Sequence, residues 1–221
     1  TGASGQFAAA SPWSLPNVAL GVGANVITVS GSTGGGGGAG TLAEDSGANY
    51  GGGWNDGSNQ GAGFGAWAFN HTQVENESWA GVFVGPASAA GITGMSETSF
   101  GFYANPANSG ANAEVTRSFA APMAVGSTFS FQWGLNWDSN AEGSYRGFSL
   151  LAGDTELLYM NMGNSPAISI NGGPMFNNCG TAAMTLNITY AADGSLRVWG
   201  TGRDGSETYD QTLSVAQGAP S

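Results

Sequence analysis

Asp138, Asn140 and Glu142, with Gly143 behind them, set side-chain oxygens at alternate positions ahead of a sharp turn, which is how an acidic loop begins to wrap a hard cation. The spacing makes a structural calcium ion the one metal with a candidate site, although the closing Glu of a helix-loop-helix calcium loop is missing and Arg146 follows closely. Zinc has no comparable ligand set, because His71 and Cys179 are single residues of their types. Two carboxylate pairs, Glu75 with Glu77 and Asp154 with Glu156, stand two residues apart on expected strands, so each pair shares a strand face. A sandwich can hold two acids about 5 to 9 Å apart for glycoside hydrolysis, but solvated face residues are the expectation here. A serine or cysteine nucleophile needs a base, and His71 lies in the polar stretch Asn70–Gln73 with no Gly-x-Ser-x-Gly turn anywhere in the chain. Cys179 is expected to be an unreactive thiol beside a turn. No catalytic residue and no cofactor beyond that calcium is assigned, and the chain is read as a non-enzyme.

Aromatic residues raise a different chemistry. Tyr50, Trp54, Trp67 and Trp79 fall among Gly, Asn and Gln, the setting in which rings stack on the C–H faces of sugars while amides meet the hydroxyls. They are the candidate glycan contacts. Local packing is the competing expectation, above all for Trp54 beside the turn residues Asn55, Asp56 and Gly57.

Composition limits what can position these groups. The 221 residues include 39 Gly, and glycine costs a helix interior about 1 kcal/mol each, so long helices have little room. A formal charge of −11, with arginine the sole strongly basic residue type, repels phosphate backbones and anionic headgroups, which argues against nucleic acid and membrane surfaces as partners. No run of about 18 apolar residues is present to span a bilayer as a helix. One cysteine cannot build an internal disulfide framework, so an extracellular or cell-surface chain of this kind must draw stability from packing, calcium, glycans or neighbouring subunits. Acceptor sequons for glycosylation occur at Asn70, Asn76 and Asn187. The start at Thr1, without Met or a signal-like segment, reads as a processed form.

Strand periodicity dominates the rest. From Thr128 to Asp138 every second residue is large and apolar, Phe129, Phe131, Trp133, Leu135 and Trp137, with Ser130, Gln132, Gly134 and Asn136 between them. That is a strand with one dry face, and rings of this size call for a second sheet to cover them. Further strands are expected near 65–70, 77–84, 99–104, 114–119, 145–152, 156–162, 167–170, 185–190, 195–200 and 207–215, with a tight hairpin at Asp193-Gly194. The fold class expected is all-β, an antiparallel sandwich over residues 41–221. Ahead of it, residues 34–40 read as a Gly-rich linker, and residues 1–33 as a strand-forming arm or the remnant of a preceding module.

Two stretches carry resemblances. Asn17–Ser30, with its Leu, Gly, Asn, Ile, Thr and Val order, resembles the last hairpin of immunoglobulin-like modules strung along bacterial surface proteins. Asp45–Trp67 and Arg146–Leu158, where Gly147, Phe148, Leu150, Gly153, Asp154 and Glu156 fall in order, resemble the Gly- and Asn-rich jelly-roll or concanavalin-like sandwiches of secreted bacterial proteins. The second resemblance implies a glycan-binding or structural module. The Glu-x-Asp-x-x-Glu pattern of sandwich-type β-glucanases is missing, which counts against catalysis. Such folds close with one or two strands beyond the one ending near Val215, so an open sheet edge is expected.

Two functions follow as expectations. In the first, copies of the chain self-assemble into a filament or surface layer, each donating its arm to a neighbour's sheet edge, with Val18, Leu20, Val22, Val26 and Val29 buried in the neighbour. In the second, the chain is a carbohydrate-binding or adhesive module with polysaccharide as its partner.

Overall fold

The structure, a computed structural model, describes residues 43–74, 78–106, 110–135, 146–162, 167–178, 182–202, 205–216 and 218–221. The arm with Val18, Leu20, Val22, Val26 and Val29, the Gly-rich linker, and Asp138, Asn140 and Glu142 lie outside the described residues, as do Glu75, Glu77 and Cys179. All described residues belong to the unit Leu42–Ser221. They form an all-β, antiparallel sandwich, as the alternation of large apolar residues led one to expect, with 3-10 turns at Gly47–Tyr50 and Ala87–Ala90 as the only described helical segments. No described helix is long and apolar enough to cross a membrane.

The strands are β1 (Ala68–Thr72), β2 (Ser78–Gly85), β3 (Ser99–Pro106), β4 (Asn112–Thr116), β5 (Thr128–Trp133), β6 (Arg146–Ala152), β7 (Thr155–Met162), β8 (Ile168–Ile170), β9 (Gly173–Phe176), β10 (Met184–Tyr190), β11 (Leu196–Gly202) and β12 (Glu207–Leu213). One main sheet has the order β12-β11-β10-β5 and the other β6-β7-β8-β9, so the whole second sheet is inserted between β5 and β10. Two small sheets, β1-β4 and β2-β3, complete the set.

The core is what the period-2 pattern requires. Met184, Leu186, Ile188, Leu196 and Val198 from one sheet are fully buried against Leu158, Met160, Met162, Ile168 and Phe176 from the other. Each such side chain contributes about 1.5–3 kcal/mol of transfer free energy. Phe131 of β5 reaches Phe148 of β6 at 4.5 Å between centroids, joining the layers through their aromatic residues. Phe129 and Phe131 are half-buried, and Ser130 and Gln132 face water.

Turn chemistry holds the hairpins. At Asp193-Gly194 the Asp193 carboxylate accepts from the Ser195 amide at 2.9 Å and the Ser195 hydroxyl at 2.6 Å, while Gly194 takes φ +83°. Both bonds hold the Asp193 carboxyl below the usual carboxylate range, the hydroxyl having the larger effect. At Asn171-Gly172 both residues have positive φ, 46° and 79°, the geometry of a two-residue primed turn. The Asn171 side chain accepts from the Tyr159 amide at 2.8 Å and so ties that turn to β7.

The segment after β12 also packs on the sandwich. Pro220 is fully buried and its carbonyl accepts from the Met123 amide at 2.8 Å, while the Ser221 amide donates to Leu151 O on β6 at 3.0 Å.

Candidate functional site

An aromatic layer outside the main core is assembled around one buried ion pair. Arg117, just past β4, pairs with Asp45, and both side chains are buried. The guanidinium also donates to Gly65 O at 2.7 Å and Asn59 Oδ1 at 2.9 Å, and it sits between the rings of Phe64 and Trp67, 4.5 and 4.7 Å from their centroids. Tyr50 donates its hydroxyl proton to Asp45 Oδ2 at 2.6 Å and accepts from Trp67 Nε1 at 3.0 Å. A planar fork with five donors can bind several acceptors of a glycine-rich loop at once, which is why an arginine rather than a lysine suits this place.

Above that network Trp54 is packed edge-on against Trp67 and Phe69 and tilted against Phe100, at 5.2, 5.0 and 4.6 Å. Tyr50 and Trp54 are only 1% and 5% exposed, and this corrects their assignment as glycan contacts. The physical reason is that a glycine- and asparagine-rich stretch wraps inward once Arg117 supplies its carbonyls with donors. Trp67 is half-buried, with its ring under Arg117 and its Nε1 committed to Tyr50. Trp79 alone of the four stands open to solvent, 49% exposed.

Trp79 is not isolated. The β2–β3 register opposes Trp79 to Asn105, Gly81 to Tyr103 and Phe83 to Gly101, so one face of the hairpin carries Trp79, Tyr103 and Phe83. The opposite face carries Phe100, which packs into the Trp54 layer. Phe83 and Tyr103 are 50% and 43% exposed. Their rings lie across the glycines opposite them: a Cβ placed on Gly81 would come within 2.8–3.0 Å of three Tyr103 atoms, and one on Gly101 within 2.4–2.8 Å of three Phe83 ring atoms. Each glycine thus lets a ring lie down on the backbone with its outer π-face turned to water. The result is a flat aromatic platform about 13 Å long, from four steps of about 3.3 Å between positions 79 and 83.

The other residues singled out from sequence do not converge. His71 is exposed on β1 with its ring 5.6 Å from Phe69. Asp154 occupies the β6–β7 turn rather than a strand, and Glu156 accepts from Ser149 Oγ at 2.8 Å on the neighbouring strand. Among the described residues no group of three or more His, Cys, Asp or Glu gathers as a metal site would require.

Phe83 and Tyr103 were not singled out by sequence reasoning. A signal was present in the sequence: a glycine two residues from a ring on each of two adjoining strands, Gly81 with Phe83 and Gly101 with Tyr103. Compared with known proteins, the chain matches no family model, no curated protein and no solved structure.

Proposed function

We propose that the chain is an extracellular carbohydrate-binding module of the sandwich kind, holding an extended neutral polysaccharide across the platform of Trp79, Tyr103 and Phe83. The observation that carries this reading is that Tyr103 and Phe83 lie flat on Gly81 and Gly101, leaving their π-faces open. Exposed rings clustered on one strand face form an apolar patch of the sort that marks an interaction surface. The C–H faces of pyranose rings fit such faces, and a flat surface suits a polymer better than a single small molecule. No charged side chain projects from the platform's own face at positions 79, 81, 83, 101, 103 and 105, which favours a neutral ligand.

Retention on insoluble cellulose, chitin, xylan and mannan tests this. The chain is expected to be held by at least one of them, and Tyr103→Ala or Phe83→Ala to weaken retention at least about tenfold, as loss of a central aromatic contact does. Gly101→Ala is the sharper variant, because it keeps every ring and only lifts Phe83 off the strand; it should reduce retention with the melting temperature nearly unchanged. Equal retention of all three variants, or retention on none of the four polymers, would overturn the reading.

A second reading, self-assembly through the arm, is favoured by β12, which pairs with β11 on one side and has no strand on its outer side among the described residues. An unpaired edge is a template for strand addition. Here Val18, Leu20, Val22, Val26 and Val29 would supply the donated strand to a neighbouring copy. Electron microscopy over a concentration series, beside a chain lacking residues 1–33, is expected to show filaments only when the arm is present. Dispersed particles in both samples discard assembly.

A further inference from the structure

We propose a second sugar site, separate from the platform, on the outer face of β10, β11 and β12, taking one or two rings of a neutral oligosaccharide against Trp199. This goes beyond the platform reading and does not depend on it. The outer face of that sheet is built from short polar residues: Thr185, Asn187 and Thr189 on β10, Thr201 on β11, and Thr208, Asp210 and Thr212 on β12. Trp199 stands among them 38% exposed. A lone exposed ring is ordinary on a protein surface; what points to recognition here is that the indole borders a depression lined by hydroxyls and an amide.

The surroundings are shaped for one. Arg197 lies against the Trp199 ring, 5.8 Å from guanidinium to centroid, and is itself held by Asp210 through bonds of 2.9 and 2.7 Å. Beside the ring is a shallow depression of about 430 Å³ whose lining includes Thr185, Asn187, Thr201, Thr208 and Asp210, but not Arg197. Asn187 is pre-positioned: its Oδ1 accepts from Ser130 Oγ at 2.7 Å and its Nδ2 donates to Trp199 O at 3.2 Å. One amide hydrogen and the threonine hydroxyls remain to meet a ligand.

The dimensions and charge narrow the ligand. Two rows line the depression, Thr185–Thr201–Thr208 and Asn187–Trp199–Asp210. Adjacent rows on one face are about 7 Å apart, and three strands span about 10 Å. That area suits one or two sugar rings and is too small for a protein interface. The Asp210 carboxylate is already neutralised by Arg197, so no uncompensated charge invites an ionic ligand. One indole face with a ring of hydroxyls and an amide is the donor set of neutral sugar recognition.

The test uses the full chain carrying Trp79→Ala, Tyr103→Ala and Phe83→Ala, which removes all three rings of the platform. It is titrated calorimetrically with cellohexaose, xylohexaose, mannohexaose and chitohexaose. At least one is expected to bind with one site per chain, and adding Trp199→Ala should weaken that binding at least about tenfold. Trp199→Phe should restore part of it, and Thr201→Val with Thr208→Val provides a variant set that leaves the indole in place, with circular dichroism checking the fold of each. Absence of binding by all four sugars, or binding undiminished in both Trp199→Ala and the double valine variant, overturns the proposal. Retention of the Trp199→Ala chain on insoluble polymer reads the platform independently, so failure of one site is distinguishable from failure of the other.

Discussion

Trp54→Ala is expected to destabilise the protein by about 3–5 kcal/mol, the range for removing a large buried aromatic side chain. The indole touches Trp67, Phe69, Phe100 and Tyr50, with centroids 4.6 to 6.5 Å away, and its own exposure is 5%. Removing it opens a cavity in a layer whose other members come from the first 3-10 turn, the loop after it, β1 and β3, so the rings have no shared backbone through which to collapse together. Urea unfolding followed by tryptophan fluorescence checks the value. Trp54→Phe should cost clearly less, because it keeps an aromatic filler and removes an Nε1–H that is buried without a hydrogen-bond partner. A Trp54→Ala chain as stable as the parent would show that this layer is not a core.

Arg117→Ala is expected to be of similar severity, about 3–5 kcal/mol, because it leaves the buried Asp45 carboxylate without its counter-charge. It also removes the cation between Phe64 and Trp67 and the donors that satisfy Gly65 O and Asn59. Replacing both partners together, Arg117→Met with Asp45→Leu, should recover much of the loss, since an apolar pair of similar volume carries no unpaired charge. Thermal unfolding of the two single variants and the double variant measures the coupling. A double variant as damaged as the sum of the singles would mean that the ion pair itself contributes little.

The same network gives a pH dependence. Burial, and then the hydrogen bond to Asp45, raise the Tyr50 hydroxyl above its ordinary value of about 10. A group whose folded pKa is raised contributes stability that is fully present below the unfolded pKa and lost as pH climbs through the folded one. Stability should therefore fall steeply above about pH 10, and Tyr50→Phe should flatten that limb while lowering the neutral-pH value.

How much of this was legible from sequence differs by element. β5, β10 and β11 could be read directly, because Phe129, Phe131, Leu186, Ile188, Leu196 and Val198 alternate with polar residues and one face of each strand is wet. β9 was missed. Residues 173–176 were not among the expected strands; β9 holds Pro174 because it is the edge of its sheet, where a missing amide proton costs no ladder bond. The Asn171-Gly172 pair that turns the chain into β9 is itself a strong hairpin signal, one that sequence reasoning did not use.

The aromatic residues separate most clearly into those the chain's local order could assign and those it could not. In β2 and β3 both faces are apolar, Trp79 and Phe83 against Ala80, Val82 and Val84, and Tyr103 against Phe100 and Phe102. Alternation alone cannot say which face is dry. Arg117 settles it by binding Asp45, 72 residues away in the chain, and so drawing Tyr50 and Trp67 into a layer that accepts Phe100, while Trp79, Tyr103 and Phe83 stay outside and Phe102, on the Phe100 face, stays 51% exposed at the margin of that layer. By itself, then, the sequence determined that the chain is an antiparallel all-β sandwich, because period-2 burial and glycine-rich turns are local properties. Only the tertiary structure decided which rings are core and which are platform, because burial depends on the layer that arrives to cover a face and not on the residues of the face alone.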